Sequence, residues 1–285
     1  LGMEILRDRS RRTLTINQKQ YITEVLKRFG LIDCNAAATP ACSTTIFSTK
    51  MSPQNEQEKR AMEHVPYIEA LGMLLFLTST SRPDIATAVT ELARYASNPG
   101  KDHWVGLKRI MRYLKGTADF GITYGGGTTD IAPSVDSSFA RCPDTRKSRY
   151  GGILMMNNGP VEWKSKLQSI VALSSMEAEY VGACEITKII SWLSQCLDEL
   201  RHVRGTTRLK TDNLSSKTFA EDDMVRARSK HVDIKFHYVR DQIKKGLMKL
   251  EYCPTGEMIA DALTKPLNAP LFKKFRSMMG IKPVL

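Results

Sequence analysis

At Gly125–Gly127 the hydrophobic pattern of the chain changes period. Before these glycines apolar residues recur at the spacing of one helix face; after them short β-like runs are mixed with helical ones. The two periods belong to different backbone geometries, so the chain divides there into a mainly helical part and an α/β part. With 285 residues, 42% of them hydrophobic, there is enough chain and apolar surface for one large domain or two ordinary ones.

The first part opens with a strand at Leu1–Ile5, a basic turn at Arg7–Arg12 and a second strand at Thr13–Ile16. Asn17 can cap a helix in which Tyr21, Ile22, Val25, Leu26 and Phe29 recur at helical spacing, and Gly30 stops it. The stretch Asn35–Gln57, rich in Ala, Ser, Thr and Pro, reads as an extended linker that acts as a spacer. Helical signal returns in Tyr67–Leu77, after Pro83 in Asp84–Tyr95, and after Pro99 in Asp102–Leu114. In the last of these Leu107, Ile110, Met111 and Leu114 form an apolar stripe, while Lys108, Arg109, Arg112 and Lys115 lie largely off it. That basic face is either solvated or a phosphate contact.

In the second part the predicted strands are Ile131–Ser137, Tyr150–Met156, Val161–Lys164, Arg208–Thr211 and Leu247–Tyr252. A long helix is predicted near Ser175–Leu200, with shorter ones near Asn213–Ala220, Val232–Lys244 and Glu257–Lys265. Three strands before any helix, then strands alternating with helices, predict a mixed sheet with helices packed on it.

A net charge of +12 attracts polyanions, of which nucleic acid is the commonest; an anionic membrane surface is the weaker option. No stretch approaches the roughly twenty apolar residues of a membrane span, and Leu1–Arg12 is too polar for a secretory signal, so a soluble intracellular protein is expected. Six cysteines without C-x-x-C spacing suggest neither a zinc knuckle nor a disulfide framework. The chain begins without Met, inside a predicted strand, as a fragment of a longer polyprotein would.

Five carboxylates stand out; one, Glu177, has a structural reading, and the other four are also candidates for chemistry. Asp136 ends a predicted strand on the face opposite Val135, although Pro133 weakens that strand. Glu177 completes a capping box with Ser174. Glu179 heads an apolar stripe, Ala183, Ile186, Ile190, Leu193 and Leu197, so it faces inward, where a carboxylate needs a cationic partner: a lysine at the core edge, or a metal. Asp212 sits between a strand and a helix, where it is either a helix cap or a site residue at a strand's carboxyl end. Asp261 lies among Met258, Ile259, Ala262 and Leu263.

Across Tyr67–Leu77, Ser81-Arg82-Pro83-Asp84-Ile85, Tyr113-Leu114-Lys115-Gly116-Thr117, Lys147-Ser148, Ala172–Ser175, Glu177–Tyr180, Lys230-His231-Val232-Asp233 and Ala260–Lys265, the chain resembles the reverse transcriptase–ribonuclease H region of copia-type LTR-retrotransposon Pol polyproteins. The resemblance implies that residues 1–124 correspond to the C-terminal part of the polymerase and its connection. Residues 130–285 would then be a ribonuclease H-like domain, a mixed five-stranded sheet with flanking helices. It places the family's catalytic and metal-binding carboxylates on Asp136, Glu179, Asp212 and Asp261. It implies two Mg²⁺ ions, with Mn²⁺ as an alternative, and hydrolysis of the RNA strand of an RNA–DNA hybrid. Arg146, Lys147, Lys230, His231 and Arg240 are the phosphate-contact candidates. The implied partners are the hybrid and the rest of the Pol polyprotein, with no membrane. The implied location is cytoplasmic, in a virus-like particle, or nuclear.

The chain departs from the family pattern in two places. Asp136-Ser137-Ser138-Phe139 lacks a second aspartate, and Tyr252–Gly256 holds no histidine before the last predicted helix of the domain. An integrase or transposase would order its carboxylates Asp, Asp, Glu, which this chain does not. Polymerisation is not expected, because the adjacent pair Asp222-Asp223 follows Glu221 in a polar stretch rather than between apolar strands. The alternative function is a catalytically inactive nucleic-acid-binding remnant.

Overall fold

A computed structural model describes residues 2–202, 205–213 and 230–284, the side chains of 230–233 excepted. The chain forms two compact units, Gly126–Thr264 and, flanking it in sequence, Leu1–Gly125 with Lys265–Leu285. The division falls at the glycine-rich turn where the period changes. The last segment, read from the sequence as the end of a domain spanning 130–285, is in the first unit.

In that first unit β1 (Glu4–Asp8) and β2 (Thr13–Asn17) form an antiparallel hairpin with Ile5 opposite Ile16, so the first strand begins later than the expected Leu1–Ile5. Asp8 turns the chain by accepting the Ser10 and Arg11 backbone N–H groups at 2.9 and 3.0 Å. Ahead of α1 (Lys19–Arg28), the Asn17 side chain accepts the Lys19 N–H at 3.1 Å, and Ile22, Val25 and Leu26 form the helix's buried face. Helices α2 (Glu56–Glu63), α3 (Tyr67–Thr80), α4 (Ala86–Leu92) and α5 (Lys101–Lys115) follow, and Leu74, Leu77, Val89, Leu92, Leu107 and Ile110 are buried among them. Strand β3 (Phe120–Tyr124), which the sequence pattern does not reveal, pairs with β2.

The segment after α1 is more than a spacer. Arg109 Nη2 donates to Thr39 Oγ1 at 3.0 Å, Arg112 Nε to the Asn35 carbonyl at 2.7 Å, and Lys115 Nζ to the Ile32 carbonyl. An extended segment off any sheet has carbonyls that need donors, and Arg112 and Lys115 of α5 supply two of them, while Arg109 meets a hydroxyl. Three of the four basic residues of that helix face therefore hold the strap, and the fourth, Lys108, lies 6.0 Å from the centre of the Trp104 ring.

The second unit is a five-stranded sheet of order β6-β5-β4-β7-β8, built from β4 (Ala132–Ser138), β5 (Arg149–Met156), β6 (Gly159–Leu167), β7 (Thr207–Thr211) and β8 (Met248–Tyr252). Strands β4, β5 and β6 are antiparallel neighbours, whereas β4–β7 and β7–β8 are parallel. Such a mixed sheet with flanking helices is the ribonuclease H-like arrangement that the resemblance implies. Helix α6 (Ser175–Glu199) lies along the sheet with Tyr180, Ile186 and Ile190 buried. Helix α7 (Lys230–Lys244) packs against α6, and Phe236 and Val239 join the same core as Val135, Leu154 and Leu209. The helix expected over Asn213–Ala220 and the Asp222-Asp223 pair lie outside the described residues, Asn213 excepted.

Where a helix over Glu257–Lys265 is expected, the chain makes two tight 3₁₀ turns, Thr255–Glu257 and Ile259–Leu263. The Asp261 N–H bonds the Met258 carbonyl and the Thr264 N–H the Asp261 carbonyl, three-residue spacings that cannot propagate far. Pro266 then bars helical geometry at the residue before it.

Back in the first unit, α8 (Ala269–Met278) buries Phe272 and Phe275, and β9 (Ile281–Pro283) pairs antiparallel with β3, Ile281 opposite Ile122. Phe272 meets the Tyr113 ring edge-on at 5.6 Å, and Arg276 stacks 4.5 Å from the Phe120 ring centre. These contacts hold the C-terminal segment in the first unit.

Candidate active site

Strand direction brings the first two aspartates together. The parallel pairing of β4 with β7 sets Ser134 opposite Lys210, and two residues further along stand Asp136, on β4, and Asp212, just past the end of β7. Both thus lie at the carboxyl end of a parallel pair, where open sheets leave room for a site. Asp212 is half-buried, and Thr255 Oγ1, in the turn after β8, donates to its Oδ2 at 3.1 Å. That neighbour follows from β8 running parallel to β7, whose last carbonyl, on Thr211, accepts the Cys253 N–H at 2.9 Å.

Asp261 arrives by close approach. Asp136 pairs directly with Gly151 on β5, so the two share one face of the sheet. A Cβ on Gly151 would lie 2.6 Å from Leu263 Cβ and 2.8 Å from the Leu263 carbonyl carbon, so the 3₁₀ turn that carries Asp261 rests directly on that face. Asp136 and Asp261 are buried, 4% and 1% exposed. Asp136, Asp212 and Asp261 each offer one carboxylate oxygen, and these oxygens lie within 4.8 Å of one another.

Glu179 stands outside that group of three. It comes from α6, on the other face, where a Cβ on Gly182 would lie 2.6 Å from Ser137 Oγ; this glycine lets the helix sit close on β4. One turn earlier, Glu179 Oε1 accepts the Ser137 backbone N–H at 3.1 Å, next to Asp136 in the chain, and the residue is 7% exposed. Glu177 is half-buried: its own N–H bonds Ser174 Oγ at 3.1 Å, and its Oε2 accepts the Leu173 N–H at 2.7 Å, one residue before the cap that a capping box would predict. The two glutamates therefore differ as the helix pattern implies, one capping and one facing inward.

Three carboxylates at this separation repel one another, and a hard divalent cation with oxygen ligands fits the set. The sequence pattern does not single out Thr255 or Thr264 as contributors, although Thr264 lies in the family-like stretch Ala260–Lys265. Its Oγ1 donates to Asp136 Oδ2 and also lies 3.1 Å from the Asp261 carbonyl.

No family model matches the chain. The Pol polyprotein of transposon TNT 1-94 from Nicotiana tabacum is 36% identical over 281 residues, which are 99% of this chain and 21% of that protein. The chain belongs to the copia-type transposon Pol polyproteins. The Pol polyprotein of transposon RE2 from Arabidopsis thaliana is 31% identical over 94% of the chain and 18% of its own length, so the chain spans about a fifth of such relatives. Among solved structures, LC11-RNase H1 isolated from compost gives a TM-score of 0.37 at 14% identity, over 48% of this chain and 94% of that structure.

Of the phosphate-contact candidates in this Pol segment, Arg146 and Lys147 lie on the turn between β4 and β5, Arg146 exposed with φ 55° and Lys147 half-buried. Arg240 lies elsewhere, on α7. Burial pushes the Tyr180 hydroxyl up, and the charge of Arg240 opposes that push, so this guanidinium faces α6. The side chains of Lys230 and His231 lie outside the described residues.

A Gly151→Ala substitution is expected to shift the Leu263–Thr264 backbone away from β5, because the clash is with backbone rather than a flexible side-chain tip. Metal-dependent activity should fall more than thermal stability does. Equal activity in the variant and parent, at matched metal concentration, would show that the close approach is not needed.

Proposed function

We propose that this chain carries a ribonuclease H that hydrolyses the RNA strand of RNA–DNA hybrids. The observation that supports it is the meeting of Asp136, Asp212 and Asp261, from three separate elements, at the carboxyl end of a parallel strand pair in a Pol polyprotein segment. Together with Glu179 these residues would hold the divalent ions, Mg²⁺ or Mn²⁺. Such ions, when bound, activate an attacking water and stabilise a leaving 3′ oxygen.

The protein's own part is positional. Asp136 and Asp261 are withdrawn from solvent, which strengthens their attraction for a cation. Thr255 Oγ1 holds Oδ2 of Asp212 at 3.1 Å and so restrains the turn of that carboxylate. The Ser137 N–H orients Glu179 towards the same strand end. Exposed cations on the β4–β5 turn, Arg146 foremost, would meet phosphates, in keeping with the net charge of +12. RNA would be distinguished from DNA by contacts to the 2′-OH. The rest of the Pol polyprotein is the natural partner, and an intracellular location, cytoplasmic or nuclear, accompanies that role. Among the described residues no helix is long and apolar enough to cross a membrane.

Incubation of the chain with an end-labelled RNA–DNA hybrid tests this reading. RNA-strand cleavage is expected with Mg²⁺, none with EDTA, and none from Asp136→Asn. Hybrid binding without cleavage at any Mg²⁺ or Mn²⁺ concentration would overturn the enzyme in favour of a binding remnant.

A further inference from the structure

Thr264 is fully buried and joins two elements of the candidate site. Its hydroxyl donates to Oδ2 of Asp136 on β4, while its own N–H and Oγ1 both lie 3.1 Å from the carbonyl of Asp261. The residue therefore ties the Asp136 carboxylate to the backbone that carries the third aspartate. Thr264 sits on the Asp136–Gly151 face: Cγ2 would lie 2.8 Å from a Cβ at Gly151, so the methyl is packed and the hydroxyl is steered to the carboxylate.

A buried carboxylate beside two others has a strong electrostatic reason to rotate away from them. A hydroxyl that binds one of its oxygens opposes that rotation and leaves the second oxygen as the one offered to a cation. Serine and threonine hydroxyls have a single proton, and here two acceptors, Asp136 Oδ2 and the Asp261 carbonyl, surround it. The geometry points to Thr264 as a positioning residue for metal binding: it presets the Asp136 carboxylate and couples it to Asp261, without itself ligating. This inference rests on the reading of the site as a divalent-metal centre.

Partners of metal-ligating groups typically change metal affinity by about 10–100-fold when removed. The test is calorimetric titration of the whole chain with Mn²⁺ and with Mg²⁺, in the absence of nucleic acid, for the parent, Thr264→Val, Thr264→Ala, Thr264→Ser and Asp136→Asn. Circular dichroism confirms the fold of each. Thr264→Val keeps the shape and removes the donor, so its affinity should fall at least about 10-fold. Thr264→Ser restores the donor and should bind within a few-fold of the parent. Should the added methyl of valine prevent folding, Thr264→Ala, which leaves space instead, carries the same expected loss. Parent-like affinity in a folded Thr264→Val or Thr264→Ala, with Asp136→Asn unable to bind, would overturn the positioning role alone. A parent that binds neither ion would overturn the metal-centre reading and this inference with it.

Discussion

Glu179→Gln is expected to abolish cleavage of an RNA–DNA hybrid while leaving the fold intact. The amide keeps an oxygen that can accept the Ser137 N–H, so the hydrogen bond across to β4 survives. What is lost is the negative charge of a buried side chain on α6 and, on the proposed reading, a metal ligand. Initial rates at fixed Mg²⁺ should drop by more than about 100-fold, beyond the range that outer-shell changes produce. Glu177→Gln is the control two residues away. Glutamine also accepts the Leu173 N–H, so both cleavage and stability should stay close to the parent, within about 1 kcal/mol, the scale of a cap interaction. If Glu177→Gln were inactive and Glu179→Gln active, the catalytic register on α6 would be wrong.

The second large effect concerns stability in the first unit. Arg82 and Asp84 form a bidentate pair, Nε to Oδ1 at 2.9 Å and Nη2 to Oδ2 at 2.8 Å, with side chains 1% and 0% exposed. The guanidinium also donates to the Thr117 carbonyl at 3.0 Å and to Thr117 Oγ1 at 2.7 Å, and Tyr113 donates to Asp84 Oδ2 at 2.5 Å. Every strong donor and acceptor here has a partner, the condition under which a buried ion pair is tolerated. Asp84→Asn leaves Arg82 charged and buried with a weakened counter-group, and about 3–5 kcal/mol of stability should be lost. Trp104 is the one tryptophan of this unit, so urea unfolding followed by its fluorescence, with Trp163 and Trp192 replaced by Phe, reports the loss. An unchanged midpoint would show that the pair contributes nothing net.

The pair also implies a pH dependence. Burial pushes the Asp84 carboxyl up, but the Arg82 charge, its two hydrogen bonds and the Tyr113 hydroxyl outweigh burial and hold it below the ordinary carboxylate range. A carboxyl depressed in the folded state stabilises fully above its unfolded value, and that contribution is lost as pH falls towards the folded one. The difference between parent and Asp84→Asn should therefore persist at neutral pH and shrink only in acid.

Local patterns were legible where the chemistry is local. The Ser174–Glu177 cap, the inward stripe headed by Glu179 and the five strands of the second unit all depend on residues close together in sequence, and their observed bounds differ from the expected ones by a few positions. Strands β3 and β9 left no such trace. One has five residues with Gly121 inside it and the other three ending in proline, too short for alternation to register. The basic face of α5 was likewise ambiguous, since lysines and arginines at those positions look the same whether water, phosphate or a strap of carbonyls meets them.

What the sequence by itself determined is the set of candidates: four carboxylates in order, the change of period at Gly125–Gly127, and enough motif to name a family. The tertiary structure alone decided which of them meet. Parallel pairing of β4 and β7 sets Asp136 beside Asp212, Gly151 admits the turn bearing Asp261, and Glu179 reaches the same strand end from the opposite face. It also decided that Lys265–Leu285 completes the first unit, through an Ile122–Ile281 pairing and an aromatic contact with Tyr113. The physical reason is that periodicity and capping are governed by neighbours a turn away, whereas strand order and close approach depend on contacts between residues far apart in sequence, from the Ser137–Glu179 hydrogen bond at a separation of 42 to the Thr264–Asp136 hydrogen bond at 128.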